Sequence, residues 1–255
     1  LCAMAVKDAA DHSANYVRHE SDREKTLVNL AQMLCLEVVP LRIEAYDISN
    51  LGDEHITAGM VVAVDGKLKK SEYRTFNIRS TAIQDDYASM TEAISRRLAH
   101  IGEENGSMSE CPDLILLDGG KGHVSVIKEL MREKGVEIPV FGMVKDNNHR
   151  TRAITADGGE ISISETKAAF MLVTRIQDEV HRFAITYQRK KHRRSSFELG
   201  ITSIKGIGEK RAIKLLTAFK TTEALKNASV EEIAKAAGIS ENAAKEVYDF
   251  VQNSM

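Results

Sequence analysis

Short apolar runs separated by polar turns predict a β-sheet over the middle of the chain. The first three runs follow one another closely enough to form an antiparallel meander, whereas the fourth is continuously apolar, as in a strand buried on both faces. The predicted strands are 42–48, 58–64, 73–78, 114–117 and 140–144, followed by a hairpin over 153–163 around Asp157-Gly-Gly159.

Helical periodicity separates and follows these strands. Asp85 or Asp86 can cap a helix that runs to about residue 101. The apolar face of this helix is expected to contain Tyr87, Met90, Ile94 and Leu98. Further helices are predicted over 1–36, 123–134 and 167–188. A meander followed by alternating helices and strands predicts an α/β domain in which helices flank a mixed β-sheet.

The segment after about Ser196 is wholly helical in pattern and repeats a short motif. Lys205-Gly-Ile-Gly-Glu-Lys-Arg-Ala212 and Ala237-Gly-Ile-Ser-Glu-Asn-Ala-Ala244 align residue by residue. Each copy is a tight turn that opens onto a helix, where backbone N–H groups favour an anion. Ser240 replaces the second glycine of the motif, and its side chain can cap the following helix. The pattern resembles a tandem helix-hairpin-helix module, which holds DNA phosphates without reading sequence.

Basic residues favour DNA binding by this module over the alternative that the hairpins only pack or contact proteins. Cations cluster at the first copy and in a run that precedes the module. Such a run is by itself more often a solvated linker, and phosphate contact is favoured only if both neighbouring domains point to DNA. The predicted DNA-binding residues are Arg189, Lys190, Lys191, Arg193, Arg194, Lys205, Gly206, Ile207, Gly208, Lys210, Arg211, Gly238, Ile239 and Ser240.

Composition limits the class of protein but does not identify its function. The chain has 255 residues, 43% hydrophobic and 28% charged, with a net charge of -2, which is ordinary for a soluble protein and does not itself indicate nucleic acid. Three separated cysteines disfavour a zinc site or disulfides and suit a reducing cytoplasm. No apolar run suggests a membrane span or signal peptide. The start at Leu1 suggests a fragment of a longer protein.

Asp118 stands where the continuously apolar strand ends, and two glycines follow it. An acid is poor for stability there but well placed to hold a metal at the rim of a sheet. Asp47 lies near the end of the first strand, so both carboxylates emerge at one edge if the two strands are neighbours. A divalent cation such as Mg²⁺ or Mn²⁺ would offset their repulsion. For Asp47 alone, a turn-capping role is the alternative.

The long predicted helix offers a third ligand. Asp178 and His181 are three residues apart and share a face, and a neutral imidazole can complete a carboxylate metal site. A lone helical histidine is nevertheless more often a core or surface residue. Lys121 and Lys145 follow strand ends and are candidates for contacting a phosphate. A nucleotide cradle at 119–122 is excluded, because its spacing fits neither glycine-rich phosphate motif.

These residues resemble the C-terminal half of the UvrC family, the incision nuclease of bacterial nucleotide excision repair. The matching segments, in the family's order, are Glu44–Ser49, Asp86–Met90, Asp113–Gly122, Asp178–Tyr187 and the tandem hairpins. In that family this half has an RNase H-like fold and makes the 5′ incision beside a lesion, using an Asp-Asp-His set. The resemblance implies Asp47, Asp118 and His181 as metal ligands and catalytic residues. Tyr46, Asn50 and His123 depart from the commoner family residues.

The resemblance also implies an organisation and partners. It makes 1–36 a helical connecting segment, 37–188 an RNase H-like endonuclease domain, 189–195 a basic linker and 196–255 the tandem helix-hairpin-helix domain. The expected cofactor is Mg²⁺ or Mn²⁺. The expected partners are damaged double-stranded DNA with bubble or junction character and a UvrB–DNA complex prepared by UvrA. The protein itself is expected to be a cytoplasmic monomer. The alternative is a non-catalytic DNA-binding scaffold, in which the acids are structural.

Overall fold

A computed structural model shows two compact units, Leu1–Gln188 and Arg189–Met255. It describes residues 20–50, 56–79, 85–104, 106, 108–145, 151–156, 159–161, 167–219 and 221–253. Among the helices in these ranges, none combines the length and apolar character that crossing a membrane requires.

The first unit is a mixed sheet with helices packed against it. Its strands are β1 (Arg42–Asn50), β2 (Ile56–Val64), β3 (Lys67–Leu68), β4 (Arg74–Asn77), β5 (Leu114–Leu117), β6 (Val140–Lys145), β7 (Thr151–Ala156) and β8 (Gly159–Ile161). A single 3-10 turn, Lys70–Glu72, separates β3 from β4. The helices of the first unit are α1 (20–33), α2 (Asp86–Leu98), α3 (Lys121–Lys134) and the part of α4 (Lys167–Thr202) that ends at Gln188.

The strand order is β3-β2-β1-β5-β6-β7-β8, with β4 also paired to β2. The pairing of β2 with β1, β3 and β4 is antiparallel, whereas β1, β5 and β6 are parallel neighbours. The prediction of a mixed sheet is therefore confirmed. The short β3 was not predicted; it follows a tight turn in which Asp65 and Gly66 both have positive φ, the geometry that suits a two-residue hairpin.

Alternation of side chains along the strands creates an apolar layer on each face of the sheet. One layer joins the strands to α1 and α4 and includes Leu30, Ile43, Ala45, Leu114, Leu116, Met143, Val173, Ile176 and Val180. The other joins them to α2 and α3 and includes Tyr46, Met60, Met90, Ile94, Ile115, Leu117, Val124 and Ile127. Because β5 is apolar on both sides, it contributes to both layers.

The helices differ from the sequence prediction in three places. Asp85 caps α2 by accepting from the Ala88 N–H at 3.0 Å, but Tyr87 is 46% exposed and lies off the predicted apolar face. The predicted helix at 1–36 is helical over 20–33, and residues 1–19 lie outside the described ranges, as does the tip of the predicted hairpin at 157–158.

The predicted linker 189–195 is the third difference, because its backbone is helical and belongs to α4. From residue 167 to residue 199 the sequence contains neither proline nor glycine, and lysine and arginine are good helix formers. A basic run in this context extends a helix instead of interrupting it.

A network of buried charges connects β1, α2 and the segment before β5. Arg97 is 1% exposed, and its guanidinium donates to Glu44 at 2.7 Å and to the carbonyls of Met108 and Glu110, each at 2.6 Å. Glu44 is fully buried and also accepts from the Tyr46 hydroxyl at 2.7 Å. These bonds satisfy charges that would otherwise be costly to bury, and they hold β1 in place just before Asp47.

The second unit packs short helices around a small core. After the end of α4 it contains α5 (Glu209–Phe219), α6 (Thr222–Lys226), α7 (Val230–Ala237) and α8 (Glu241–Asn253). Ser229 and Glu232 form a capping box at the start of α7, and Thr221 caps α6. The core includes Ile201, Ile207, Leu215, Leu225, Ile233, Ala244 and Val247.

We predict that Arg97→Met destabilises the first unit, at the lower end of about 3–5 kcal/mol, because Glu44 loses one of its two buried cations and the Met108 and Glu110 carbonyls lose their donor, while Arg42 still pairs with Glu44 at 3.2 Å. Arg96→Ala is the matched control on the same helix. Arg96 pairs with Glu92 at a partly exposed site, so its loss should cost about 1 kcal/mol or less. Denaturant unfolding followed by circular dichroism measures both values. Equal effects of the two substitutions would contradict the importance of the buried network.

Candidate metal centre and DNA-binding hairpins

Strand alternation and register bring two carboxylates to one point of the sheet. Asp47 follows Ile43 and Ala45 on the face covered by α4, and Asp118 follows Leu114 and Leu116 on the same face. The parallel pairing aligns Tyr46 with Leu117, and the Asp118 N–H donates to the Tyr46 carbonyl at 2.8 Å. The strands that carry Asp47 and Asp118 are therefore neighbours in the sheet, as predicted.

Helix α4 brings His181 to the two carboxylates because it packs closely on β2. Gly59 lies opposite Asp47 in the β1–β2 pairing, and a Cβ there would come within 3.1 Å of the Ala184 Cβ. The absence of a side chain at Gly59 lets α4 approach, and Ala184 is three residues after His181. This close contact fixes the distance between the histidine and the sheet.

The three predicted ligands converge in the structure. His181 Nδ1 lies 3.0 Å from Asp47 Oδ2 and 3.9 Å from Asp118 Oδ2. One ligand atom from each residue lies within 4.8 Å of the others, a spacing at which the set could hold a metal ion. The Asp47 and Asp118 side chains are 8% and 9% exposed, whereas His181 is 51% exposed, so the cluster opens to solvent on the histidine side.

Two further residues contact Asp118. Gln177 is buried, and its amide donates to Asp118 Oδ1 at 2.8 Å and to the Met143 carbonyl at 3.2 Å. Lys145 Nζ lies 2.6 Å from Asp118 Oδ2. Sequence reasoning identified Lys145 but missed Gln177. The available signal was spacing, because Gln177 and His181 are four residues apart and therefore share the helix face toward the sheet.

The pKa of Asp47 reflects its burial and its acidic neighbour. Burial, and then the neighbouring Asp118 carboxylate, raise the pKa of Asp47 from 3.8 to about 6, although His181 and Lys145 act in the opposite direction. A bound divalent cation would favour the ionised carboxylate. Two carboxylates and one imidazole are also suitable donors for such a cation, so the residues fit the metal that the sequence suggested.

Two predicted residues are not members of this cluster. Lys121 is the first residue of α3 and is exposed to solvent. Asp178 is exposed and lines a separate surface depression of about 450 Å³, together with Phe170, Met171 and Arg175. The structure therefore puts Gln177, not Asp178, beside the ligands.

Both glycine-rich turns of the second unit have similar backbone geometry. Gly206 and Gly238 adopt positive φ of 92° and 64°, which glycine tolerates without strain. Ile207 is buried in the core below the first turn, and Ile239 packs partly against the same core. Ser240 accepts a hydrogen bond from the Ala243 N–H at 3.4 Å, so its side chain caps α8 as predicted.

The charges of the two hairpins differ. Exposed cations surround the first turn, namely Lys205, Lys210, Arg211 and Lys214. Glu209 is an exposed acid of the same stretch. Around the second turn the exposed charges are mixed, because Lys235 and Lys245 are accompanied by Glu241 and Glu246. Arg211 also donates to the Gly206 carbonyl at 2.6 Å and so braces its own turn. In the basic run, Arg189 is exposed, and the side chains of 190–196 lie outside the described residues.

The chain thus combines an RNase H-like mixed sheet, an Asp-Asp-His cluster at the carboxyl ends of the neighbouring strands β1 and β5, and paired glycine-rich turns of the helix-hairpin-helix kind. The family described as the UvrC RNAse H endonuclease domain matches residues 31–185, and the chain belongs to this family. The family described as a SAM-like helix-hairpin-helix tandem matches residues 198–253.

Similar proteins agree with this assignment. The UvrABC system protein C of Thermoanaerobacter sp. (strain X514) is 44% identical over 264 residues, which cover 98% of this chain and 43% of that protein. The protein of the same name from Clostridium perfringens (strain 13 / Type A) is 41% identical over 246 residues, covering 92% of this chain and 40% of that protein. The chain thus spans about two fifths of the length of these relatives.

Among solved structures, the catalytic domain of human endonuclease V aligns with a TM-score of 0.39 and 15% identity, over 72% of this chain and 97% of that one. An alignment at this level of similarity gives no information about the candidate metal centre.

We predict that Asp118→Asn lowers the pKa of Asp47 in the metal-free protein, because it removes a neighbouring negative charge. A ¹³C NMR titration of the Asp47 carboxyl group measures the change, with the exposed Asp178→Asn as control. An unchanged pKa in Asp118→Asn would show that the two carboxylates do not interact.

The raised pKa also predicts how stability depends on pH. Protonated Asp47 is favoured in the folded state, so its contribution is fully present below a pH of about 4 and is lost as the pH rises through about 6. Asp47→Asn should reduce this loss, as measured by denaturant unfolding at pH 4 and pH 7. An identical pH dependence in the parent and the variant would contradict the assignment.

Proposed function

We propose that this chain is a metal-dependent DNA endonuclease that makes the 5′ incision beside a lesion in nucleotide excision repair. The observation that carries the proposal is the convergence of Asp47, Asp118 and His181 within 4.8 Å. Membership of the UvrC RNase H endonuclease family supports phosphodiester hydrolysis as the reaction.

Asp47, Asp118 and His181 would hold the cofactor, which we propose to be Mg²⁺ or Mn²⁺. When bound, such an ion lowers the pKa of a coordinated water and stabilises negative charge on the phosphate. The protein's own groups then have distinct roles. Gln177 fixes the orientation of the Asp118 carboxylate, while Lys145 supplies a positive charge next to it that can contact the phosphate. The exposed side of His181 faces the solvent from which DNA approaches.

The substrate that we propose is damaged double-stranded DNA with bubble or junction character. The first hairpin would contact the phosphate backbone through its N–H groups and its cations, without reading bases. We further propose that the chain acts as a cytoplasmic monomer on a UvrB–DNA complex prepared by UvrA. The choice of lesion would then belong to these partners and not to this chain.

The main test is Asp118→Asn, which keeps the size of the side chain but removes a charged ligand. We expect metal-dependent nicking of lesion-containing DNA, assayed with the partner complex present, to fall by at least about a hundredfold, because a metal ligand is lost. Affinity for DNA should remain nearly the same. Asp178→Asn is the matched control, since this exposed acid on α4 does not belong to the cluster.

Two outcomes would contradict the catalytic proposal. Nicking that survives Asp118→Asn would exclude this cluster as the active site. A parent protein that binds DNA but never nicks it, with Mg²⁺ or Mn²⁺ and the partners present, would instead favour a non-catalytic scaffold.

The hairpins can be tested separately through salt dependence. Replacing Lys205 and Lys210 by alanine should weaken binding to bubble DNA and reduce the slope of log affinity against log salt by about 2, because each phosphate contact contributes about 1. The matched control replaces Lys235 and Lys245, whose charges near the second hairpin are offset by Glu241 and Glu246, and should change the slope little. Fluorescence anisotropy at several salt concentrations measures both. Equal slopes in the two double variants would argue against the first hairpin as the main contact.

A further inference from the structure

The turn at 119–122, Gly-Gly-Lys-Gly, directly follows Asp118, yet none of its residues belongs to the candidate metal cluster. Two aromatic rings explain them. Tyr87 at the start of α2 and His123 near the start of α3 lie side by side, with ring centroids 4.4 Å apart and planes inclined by 30°. The rings are therefore stacked and tilted, and they come from the first turns of two different helices.

The glycines make room for these rings. A Cβ at Gly119 would lie 2.6 Å from His123 Nδ1, and a Cβ at Gly122 would lie 2.7 Å from the Tyr87 hydroxyl. Gly120, by contrast, has open space where a Cβ would be. The rings thus leave no room for a side chain at the two glycines that face them, Gly119 and Gly122. These glycines therefore end the strand and also allow the two rings to stay in contact.

The ring pair is exposed next to the candidate metal centre. Tyr87 is 46% exposed, although a large aromatic side chain would gain stability by burial. His123 is partly exposed and lies near enough to Asp118 for their charges to interact. Lys121, on the same turn, is exposed as well. An aromatic surface and a cation therefore lie together beside an acid of the cluster.

We propose that Tyr87 and His123 form a stacking surface for a nucleobase flanking the cleaved phosphate, with Lys121 contacting the adjoining backbone phosphate. The proposal rests on the proposed function, since it names how the same site holds its DNA substrate. Stacking on an aromatic face tolerates any base, which suits an enzyme that does not read sequence. It also requires an unpaired or displaced base, and bubble DNA offers one.

The proposal can be tested by binding alone, in EDTA, so that no cleavage is needed. The probe is bubble DNA with 2-aminopurine at an unpaired position, and the full chain is titrated into it. We expect the parent to change the 2-aminopurine fluorescence at one or two neighbouring positions. Tyr87→Ala should abolish that change and weaken affinity by about five- to a hundredfold, because one stacked base is lost. Tyr87→Phe keeps the ring and should bind as the parent does.

Salt dependence distinguishes the two parts of the site. Lys121→Ala should reduce the slope of log affinity against log salt by about 1, whereas Tyr87→Ala should leave the slope unchanged. Met171→Ala is the control for losing an exposed apolar side chain elsewhere, since Met171 is 61% exposed on α4. Circular dichroism melting of each variant confirms that it is folded.

Parent-like affinity and fluorescence in Tyr87→Ala would overturn the proposal. So would an equal loss of affinity for fully paired duplex, because stacking requires an accessible base. Failure of the proposed nuclease activity would look different: nicking would be absent while the fluorescence response to Tyr87 persisted.

Discussion

The parallel pairing of β1 with β5 is the constraint on which the site depends. It aligns Tyr46 with Leu117, and the hydrogen bond from the Asp118 N–H to the Tyr46 carbonyl closes the pairing at its end. Asp47 and Asp118 are then forced together on one face of the sheet, where burial and mutual repulsion raise the pKa of Asp47. The fold itself creates a pair of acids that a cation would stabilise, and the remaining groups are arranged around that pair.

The two faces of the sheet support this pair differently. On one face, α4 approaches because Gly59 has no side chain, and it brings Gln177 to Asp118 and His181 to Asp47. On the other, Arg97 and Glu44 form a buried ion pair that holds β1 and α2 together. A buried ion pair is not a strong source of stability, but it permits few alternative arrangements when its hydrogen bonds are satisfied. We infer that this network keeps β1 rigid next to the candidate metal centre.

The second unit supplies a different kind of contact. Its two turns share backbone geometry, but the exposed charges around the first are mainly cationic, whereas those around the second are mixed. A repeated motif therefore does not imply a repeated function, because phosphate affinity depends on the local charge as well as on N–H groups. The exposed rings of Tyr87 and His123 would add base stacking to backbone contact, giving the DNA two forms of attachment that salt affects unequally.

Local patterns in the sequence predicted most of the strands, a cap for α2 at Asp85 or Asp86 and both glycine turns, since alternation and turn chemistry act over short distances. The family motifs suggested the three candidate ligands. Only the tertiary structure decided what depends on packing between distant segments. It placed Gln177 instead of Asp178 beside Asp118, because small differences in helix rotation select which side chain meets the sheet. It left Tyr87 exposed beside His123, and it showed that Gly119 and Gly122 accommodate rings contributed by two helices, a steric requirement that no single stretch of sequence contains.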